Sequence, residues 1–492
     1  MSGSCGYQLR EPTYSANALS ANIHQLCEPF FMAAEQQYQP PAEILESSET
    51  FLKTHPELKW IEGFAFDING VPRGKWLPAD SAKKLLAGGL QMPRSAVSLD
   101  IWGRDIENSP LVFASGDSDG VCHPVSPICL APWHREQTAQ LHMQLFEADG
   151  NVLYADPRAQ LQKVVERLGK LGYKAVCATE LEFYLLREEA DELGRPRPVS
   201  DNDSDLVPST DVYDLAELDA QRHFFADVRA ACEEQGIPAD SILSECAPGQ
   251  FEINLLHCDD PVKVADQTLL FKRLLKGVAR SHGLRVSAMA KPFGELAGNG
   301  MHVHMSLVDK DGNNVFDDGS DEGAELLRHA VAGMMRTAND AMAIFAPHAN
   351  SYRRFQESSH APLNLCWGYD NRTVTFRIPA SEAKARRIEH RISGADVNAY
   401  LVLAAILAGV CHGLENKLQP PAPVEGDAYQ VESEQLINTW DGALKQFERS
   451  ALWREYLDPE FVELFVLLKR QEQAEIAARV TDVEYQSYLQ RV

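Results

Sequence analysis

The sequence predicts an α+β protein in which a small strand-rich domain precedes a large mixed one. Three observations point there. From about Phe51 to Pro132, short strand-like runs such as Gly63-Phe64-Ala65-Phe66-Asp67 are broken by turns at Asn69-Gly70 and Ser115-Gly116-Asp117, with little helical periodicity. At Asp156-Pro157 an N-cap and a proline at the first helical position open a run in which Leu161, Val164, Val165, Leu168 and Leu171 recur at helical spacing up to Gly172. Beyond it, helical and strand-like patterns alternate.

Taken in order, residues 1–45 read as an extension of small polar residues with one apolar patch, Phe30-Phe31-Met32. Residues 46–150 form the strand-rich domain and 151–492 the mixed one. In the latter, a strand over 176–186 follows the first helix. A helix from about Leu218 to Gly236 precedes a strand near Phe251, and a helix from Asp260-Pro261 to Gly283 precedes strands near Val286 and His302. The last third is mainly helical.

Composition bounds the function. The chain has 492 residues, a formal charge of −25, 45% hydrophobic and 24% charged residues, which is ordinary for a globular protein. Its acidity argues against a general nucleic-acid binder, since such proteins need cationic surface to release counterions. The longest apolar run, Ala399 to Cys411, spans 13 residues, short for a membrane span and suited to a buried helix. No basic flank followed by an apolar stretch opens the chain, so the expected address is cytoplasmic, with no membrane partner. The ten cysteines fall singly and read as reduced.

Four short segments place functional groups two residues apart: Glu180-Leu-Glu182, Gln250-Phe-Glu252-Ile-Asn254, His302-Val-His304-Met-Ser306 and Arg387-Ile-Glu389-His-Arg391. In a strand, residues i and i+2 share a face. One such segment would be an amphipathic strand with a wet side; four in one domain suggest a shared polar face. With Glu245 they bring five carboxylates and a histidine, whose mutual repulsion calls for divalent cations. Oxygen donors with one imidazole suit Mg²⁺ or Mn²⁺, and two ions fit that set. Between Arg353 and Arg391, eight basic residues stand against four acidic ones, a local excess that suits a polyanionic ligand. Gly70-Val-Pro-Arg-Gly74-Lys75-Trp76 lacks the spacing of a P-loop, so nucleotide binding would rest on metals and arginines.

At these residues the chain resembles the glutamine synthetase family, from about residue 50 to the end. Glu180-Leu-Glu182-Phe183, Glu245 with Gly249-Gln250-Phe-Glu252, Gly300-Met-His302-Val-His304-Met-Ser306, Asn350-Ser-Tyr-Arg-Arg354, Asn371-Arg372 with Arg377-Ile-Pro379, and Arg387-Ile-Glu389-His-Arg391 occur in the family's order and approximate spacing. The resemblance implies an N-terminal β-grasp domain, a catalytic domain with a curved antiparallel sheet and surrounding helices, and stacked rings of copies, a dodecamer, with shared active sites. It places Glu182, Glu245 and Glu252 on one metal and Glu180, His302 and Glu389 on the other. Arg354, Arg391 and the backbone at Gly298 would hold glutamate. Arg372 and Arg377 would face the phosphates, and His304, Ser306, Lys384 and Arg387 would place ATP.

The implied reaction forms γ-glutamyl phosphate from glutamate and ATP, after which an amine displaces phosphate to give an amide. That second step needs a base for the amine proton. Family members that use ammonium carry a flap glutamate directly before Ala-Pro. Here the flap reads Arg353-Arg354-Phe-Gln-Glu357-Ser-Ser-His360-Ala361-Pro362, with His360 at that position. The family's N-terminal aspartate motif is also absent, and Asp100 lies in its neighbourhood. The flap and Trp367-Gly368-Tyr369-Asp370-Asn371-Arg372 look more like the branch that joins glutamate to putrescine or other polyamines. Glu357 or His360 would be the amine-side base. The alternatives are an ammonium site rebuilt from Glu357 and Asp100, a γ-glutamyl ligase for a monoamine, and a catalytically silent relative. Tyr429 lies in the tract where some bacterial members carry a modifiable tyrosine, but without that context, so adenylylation there is not expected.

Overall fold

The computed structural model describes residues 38–112, 114–134, 137–192, 194–199 and 212–492. The expected extension therefore lies, up to residue 37, outside the described residues, as does its apolar patch. Helix Ala42–Thr54 crosses the expected boundary at 45/46. Its start carries no side-chain cap, and Ser48 is its one buried residue, so neither a start signal nor a strong apolar stripe marks it in the sequence.

Strands β1 (Trp60–Phe66), β2 (Pro72–Pro78), β3 (Leu90–Pro93), β4 (Asp119–Pro124), β5 (Cys129–Leu130) and β6 (Thr138–Phe146) form the first sheet, ordered β2-β1-β6-β4-β3 with β5 beside β6. Its β1–β6 pair is parallel and the other pairs are antiparallel. The rejected P-loop turns out to be the β1–β2 hairpin, with Lys75 and Trp76 on exposed β2 positions.

The second sheet contains β7 (Lys174–Arg187), β8 (Ala239–Ser244), β9 (Gln250–Leu255), β10 (Leu284–Ser287), β11 (Met301–Val308), β12 (Trp367–Tyr369), β13 (Phe376–Ile378) and β14 (Ile388–His390), in the order β12-β13-β14-β11-β7-β9-β8 with β10 on β7. It is antiparallel, as expected, apart from the short edge pair β12–β13, which is parallel.

All four segments of alternating polarity meet in this sheet. Leu181, Phe183, Phe251, Ile253, Val303 and Met305 are buried in the main core. On that apolar side, Thr179 meets Thr268 of helix Pro261–Ser281 through hydroxyls 2.9 Å apart. The opposite face is left to the polar partners. Helices start where caps were expected: Asp156 accepts from the Ala159 amide, and Asp260 accepts from the Val262 and Lys263 amides. The expected 218–236 helix is two helices, Leu215–Ala220 and Arg222–Gln235, the second ended by Gly236 in the left-handed region at φ +63°.

Residues 399–411, the longest apolar run, are buried throughout in helix Ala399–Glu415. This helix crosses helix Glu325–Phe345 on glycines. A Cβ on Gly413 would fall 2.0 Å from the His329 carbonyl oxygen, and one on Gly333 would fall 2.1 Å from that of Gly409. The two backbones thus approach as closely as hydrogen allows. Gly413→Ala should cost about 1–3 kcal/mol through overpacking. Gly169→Ala, inside a helix with nothing within 4 Å of its new methyl, should gain roughly 0.5–1 kcal/mol. Urea unfolding of both variants checks the pair, and equal effects would remove the close-packing account.

Candidate active site

Register assembles the site. β7 lies between β11 and β9, so Glu180 stands opposite His302 on one side and Asn254 on the other, while Glu182 stands opposite Glu252. On β14, Glu389 stands opposite both His304 of β11 and Arg377 of β13. Directly opposed residues share a face, and so do i and i+2. Glu180 accepts from His304 Nε2 at 2.8 Å and lies 3.3 Å from His302 Nδ1. Glu182 accepts the Gly300 amide at 2.6 Å.

Two groups of three donors result, Glu180 with His302 and Glu389, and Glu182 with Glu252 and His302; in each the ligand atoms lie within 4.8 Å of one another. His302 belongs to both, lying 3.9 Å from Glu389 through Nδ1 and 4.0 Å from Glu182 through Nε2. The first trio coincides with one expected ligand set. The second has His302 where Glu245 was expected. Glu245, in the turn after β8, is placed outside both trios, although its charge is felt at Glu252.

The electrostatics ask for a cation. Burial, then the neighbouring Glu180 and Glu182 charges, pushes the Glu252 carboxyl far above its usual range. Burial, then Glu182, raises Glu245 as well. Burial also opposes ionisation of Glu180 and Glu389, but hydrogen bonds from His302 and His304 hold Glu180 well below the usual range, and Arg391 and His302 hold Glu389 down to about 2. The carboxyls held up are those where burial and neighbouring glutamates outweigh any cation, Arg372 at Glu245 included. The structure also keeps space among them: a Cβ on Gly300 would lie 2.8 Å from Arg354 Nη2, 3.0 Å from His302 Nε2 and 3.2 Å from Glu182 Oε1. Oxygen donors, one imidazole and a cradle that a single methyl would fill fit hard divalent ions.

Most of the basic excess is spoken for. Arg377 bridges Glu389 (2.9 Å) and Asp370 (2.6 Å), Arg391 bonds Glu389, and Arg354 donates to the Ile392 carbonyl at 2.7 Å; Arg354 and Arg391 are buried. Gly298 packs on Arg354, and its carbonyl accepts from Gln250 at 3.0 Å. Beside the carboxylates opens a cavity of about 1190 Å³, lined by Glu180, His304, Ser306, Lys384 and Arg387 together with Asn254 and His257. The structure thus gathers four of the five residues expected at ATP. Arg377 sits on the far side of Glu389 instead. Arg387 donates from Nε to His304 Nδ1 at 3.1 Å. Arg372, Glu357 and His360 are exposed.

Asp100 needs correction as a candidate. It is fully buried, and its carboxylate accepts from the Trp102 and Arg104 amides, the Arg104 side chain and Gln471. A carboxylate so occupied holds its own loop. The alternation put Asn254 on the shared polar face without giving it a role; its side-chain oxygen is buried without a partner among the described residues while the side chain lines the cavity. Its place two residues after Glu252 was the available signal.

A carboxylate-lined sheet face beside a large cavity that carries Lys384 and Arg387 defines a class of protein, and comparison agrees. The family description "Glutamine synthetase, catalytic domain" matches residues 154–488, and the chain belongs to that family. It is a ligase. Enzymes of the family use ATP and divalent metal ions. The chain is 35% identical over 439 residues to the γ-glutamylputrescine synthetase PuuA of Escherichia coli (strain K12), covering 88% of this chain and 92% of that one. It is 35% identical over 449 residues to a glutamate–isopropylamine ligase of Pseudomonas sp, covering 89% and 96%. Among solved structures, a GmaS/ADP complex superposes with a TM-score of 0.77 at 26% identity, covering 90% of this chain and 99% of that one.

Because His302 serves both trios, its loss should matter most. Mg²⁺ or Mn²⁺ at a hundredfold excess over Kd should stabilise the wild type by about 2.7 kcal/mol. In thermal unfolding the shift should vanish in His302→Ala and shrink in Glu245→Ala. Equal shifts in all three proteins would remove the metal assignment.

Proposed function

We propose that this protein joins the γ-carboxyl of glutamate to an organic amine, putrescine or another polyamine, at the expense of ATP. The observation that carries the choice of amine is the absence of a flap carboxylate before Ala361-Pro362. His360 occupies that position, exposed, and Asp100 is bound within its own loop. A small-cation site for ammonium would need such carboxylates. The names of the two relatives, one for putrescine and one for the monoamine isopropylamine, support an organic amine over ammonium, and the first supports a polyamine.

In this reading Glu180, His302 and Glu389 hold one ion and Glu182, Glu245 and Glu252 the other, with His302 in reach of Glu182 and Glu252 as well. When bound, such ions offset negative charge on phosphoryl oxygens and orient them. The chain's own part is positional. His304, Ser306, Lys384 and Arg387 would line the nucleotide, and Arg354 and Arg391 would bind the substrate's carboxylates, aided by the Gly298 backbone. Arg377 fixes Glu389, while Arg372, free to approach, would meet the transferring phosphate. Glu357 or His360 would take the proton from the amine. The reading extends to stacked rings of copies, a dodecamer, in the cytoplasm; among the described residues no helix is long and apolar enough to cross a membrane.

With ATP, glutamate and Mg²⁺, phosphate release should run faster with putrescine or spermidine than with ammonium at equal concentration; the reverse order would sink the polyamine reading. Glu389→Ala should lower that release by at least about 100-fold, the scale of losing a preorganised electrostatic group. His360→Glu should raise the ratio of ammonium to putrescine turnover, and an unchanged ratio would detach the flap from amine choice.

A further inference from the structure

Tyr429 plays no part in the assignments above. It sits in a single turn, Ala428–Gln430, of a strap that crosses the root of the flap. The strap is well fixed. Asn364 Nδ2 donates to the Ala428 carbonyl at 3.0 Å, the Leu365 amide to the Glu434 carbonyl at 2.7 Å, the Leu436 amide to the Leu363 carbonyl at 2.8 Å, and the Ala428 amide to Thr373 Oγ1 at 3.0 Å. From this platform the Tyr429 hydroxyl donates to the Ala361 carbonyl at 2.9 Å, one residue beyond His360, and lies within hydrogen-bonding reach of Ser359. Ser359 in turn donates to the Gln356 carbonyl at 2.6 Å.

The flap needs such a hold. Ser358 and His360 both sit in the left-handed region, at φ +59° and +57°, conformations that side-chain-bearing residues adopt at a cost and keep only when their surroundings impose them. Glu357, Ser358 and His360 are exposed, so packing does not fix their side chains, and burial resumes only at Ala361. The hydroxyl also faces Arg391 and Arg354, so a single group touches the flap and feels the buried arginine pair. Burial raises the phenol above its usual range, with both arginines opposing, and it remains a donor at neutral pH.

We propose that Tyr429 is a positioning residue that latches residues 359–361 over the amine side of the site and so sets the partition of the acyl phosphate between amine and water. The inference rests on the proposed ligase reading and on the flap facing the incoming amine. When water attacks the γ-carbonyl carbon in place of the amine, the bond from that carbon to the phosphate oxygen breaks. Glutamate and phosphate are released, and ATP is spent without amide. A loosened flap would favour that route.

The test is Tyr429→Phe in the full chain. Tyr369→Phe is the control; it removes a comparable hydroxyl bond, to the Glu322 carbonyl at 2.8 Å. Hydrogen exchange over 356–362 should quicken about 5- to 10-fold in Tyr429→Phe, the change expected from one net hydrogen bond, while β7 is unaffected. The amine KM should rise by a similar factor, the glutamate KM should hold, and phosphate released per amide formed should exceed one. Tyr369→Phe should change none of these. Unaltered exchange over 356–362 overturns the latch whatever the activity, and so does faster exchange with an unchanged amine KM and phosphate-to-amide ratio. Loss of amine-dependent phosphate release in the wild type counts against the proposed function, and the exchange result still decides the latch.

Discussion

The structure depends on one electrostatic constraint, the crowding of glutamates onto a single face of one sheet. Two unit charges 4 Å apart repel by about 4 kcal/mol at an effective dielectric of 20. A few such pairs would rival the roughly 5–15 kcal/mol that holds a domain folded. The chain answers with placed cations and donors. Arg377 and Arg391 neutralise Glu389, His302 and His304 hold Glu180, and the Gly300 amide caps Glu182. What they leave, the Glu252 and Glu245 carboxyls pushed above their usual range by burial and by neighbouring negative charge, is the demand a divalent ion would meet.

Rigid packing makes that arrangement tolerable. The apolar side of β7, β9 and β11 is anchored in the core and on helix Pro261–Ser281, so the polar side cannot relax by rotating its strands. Behind this layer, buried polar contacts bind the first sheet to the rest. Lys469 donates to Asn69 and Glu472, and Glu472 accepts from Asn69 and from the Ile101 amide. Each of these buried charges has a partner, so the cluster of like charges is confined to the site, where a ligand can compensate it.

The flap stands at the other extreme. Glu357, Ser358 and His360 are exposed, the last two backbone-strained, and hydrogen bonds from Tyr429 and Ser359 help to hold the segment beside the buried Ala361. Precision at the carboxylates and adjustability at the flap suit a site whose phosphoryl chemistry is shared across a family while its amine differs between members. The basic excess of 353–391 divides along the same line: Arg354, Arg377 and Arg391 are committed inward, and Arg372 and Lys384 remain exposed.

Much of this was legible in the chain itself. Alternation of period two on four segments announced strands with one functional face, because a strand's side chains can only alternate. Asp-Pro caps placed the helices at 157 and 261, since local hydrogen bonding is a local property. Other features had no local signal. Helix Ala42–Thr54 starts without a cap, and the strand pairing that puts His302 in both donor trios and leaves Glu245 outside depends on which strands are neighbours. Asp100, a candidate by its position in the sequence, proved to be consumed by Arg104 and Gln471, the latter 371 residues away. Tyr429 acquired its partner only because the strap at 424–436 crosses the flap. The sequence by itself thus determined which residue types share a strand face and the class of chemistry they support. Only the tertiary structure decided which of them meet, because pairing register and long-range hydrogen bonds bring together groups that nothing local relates.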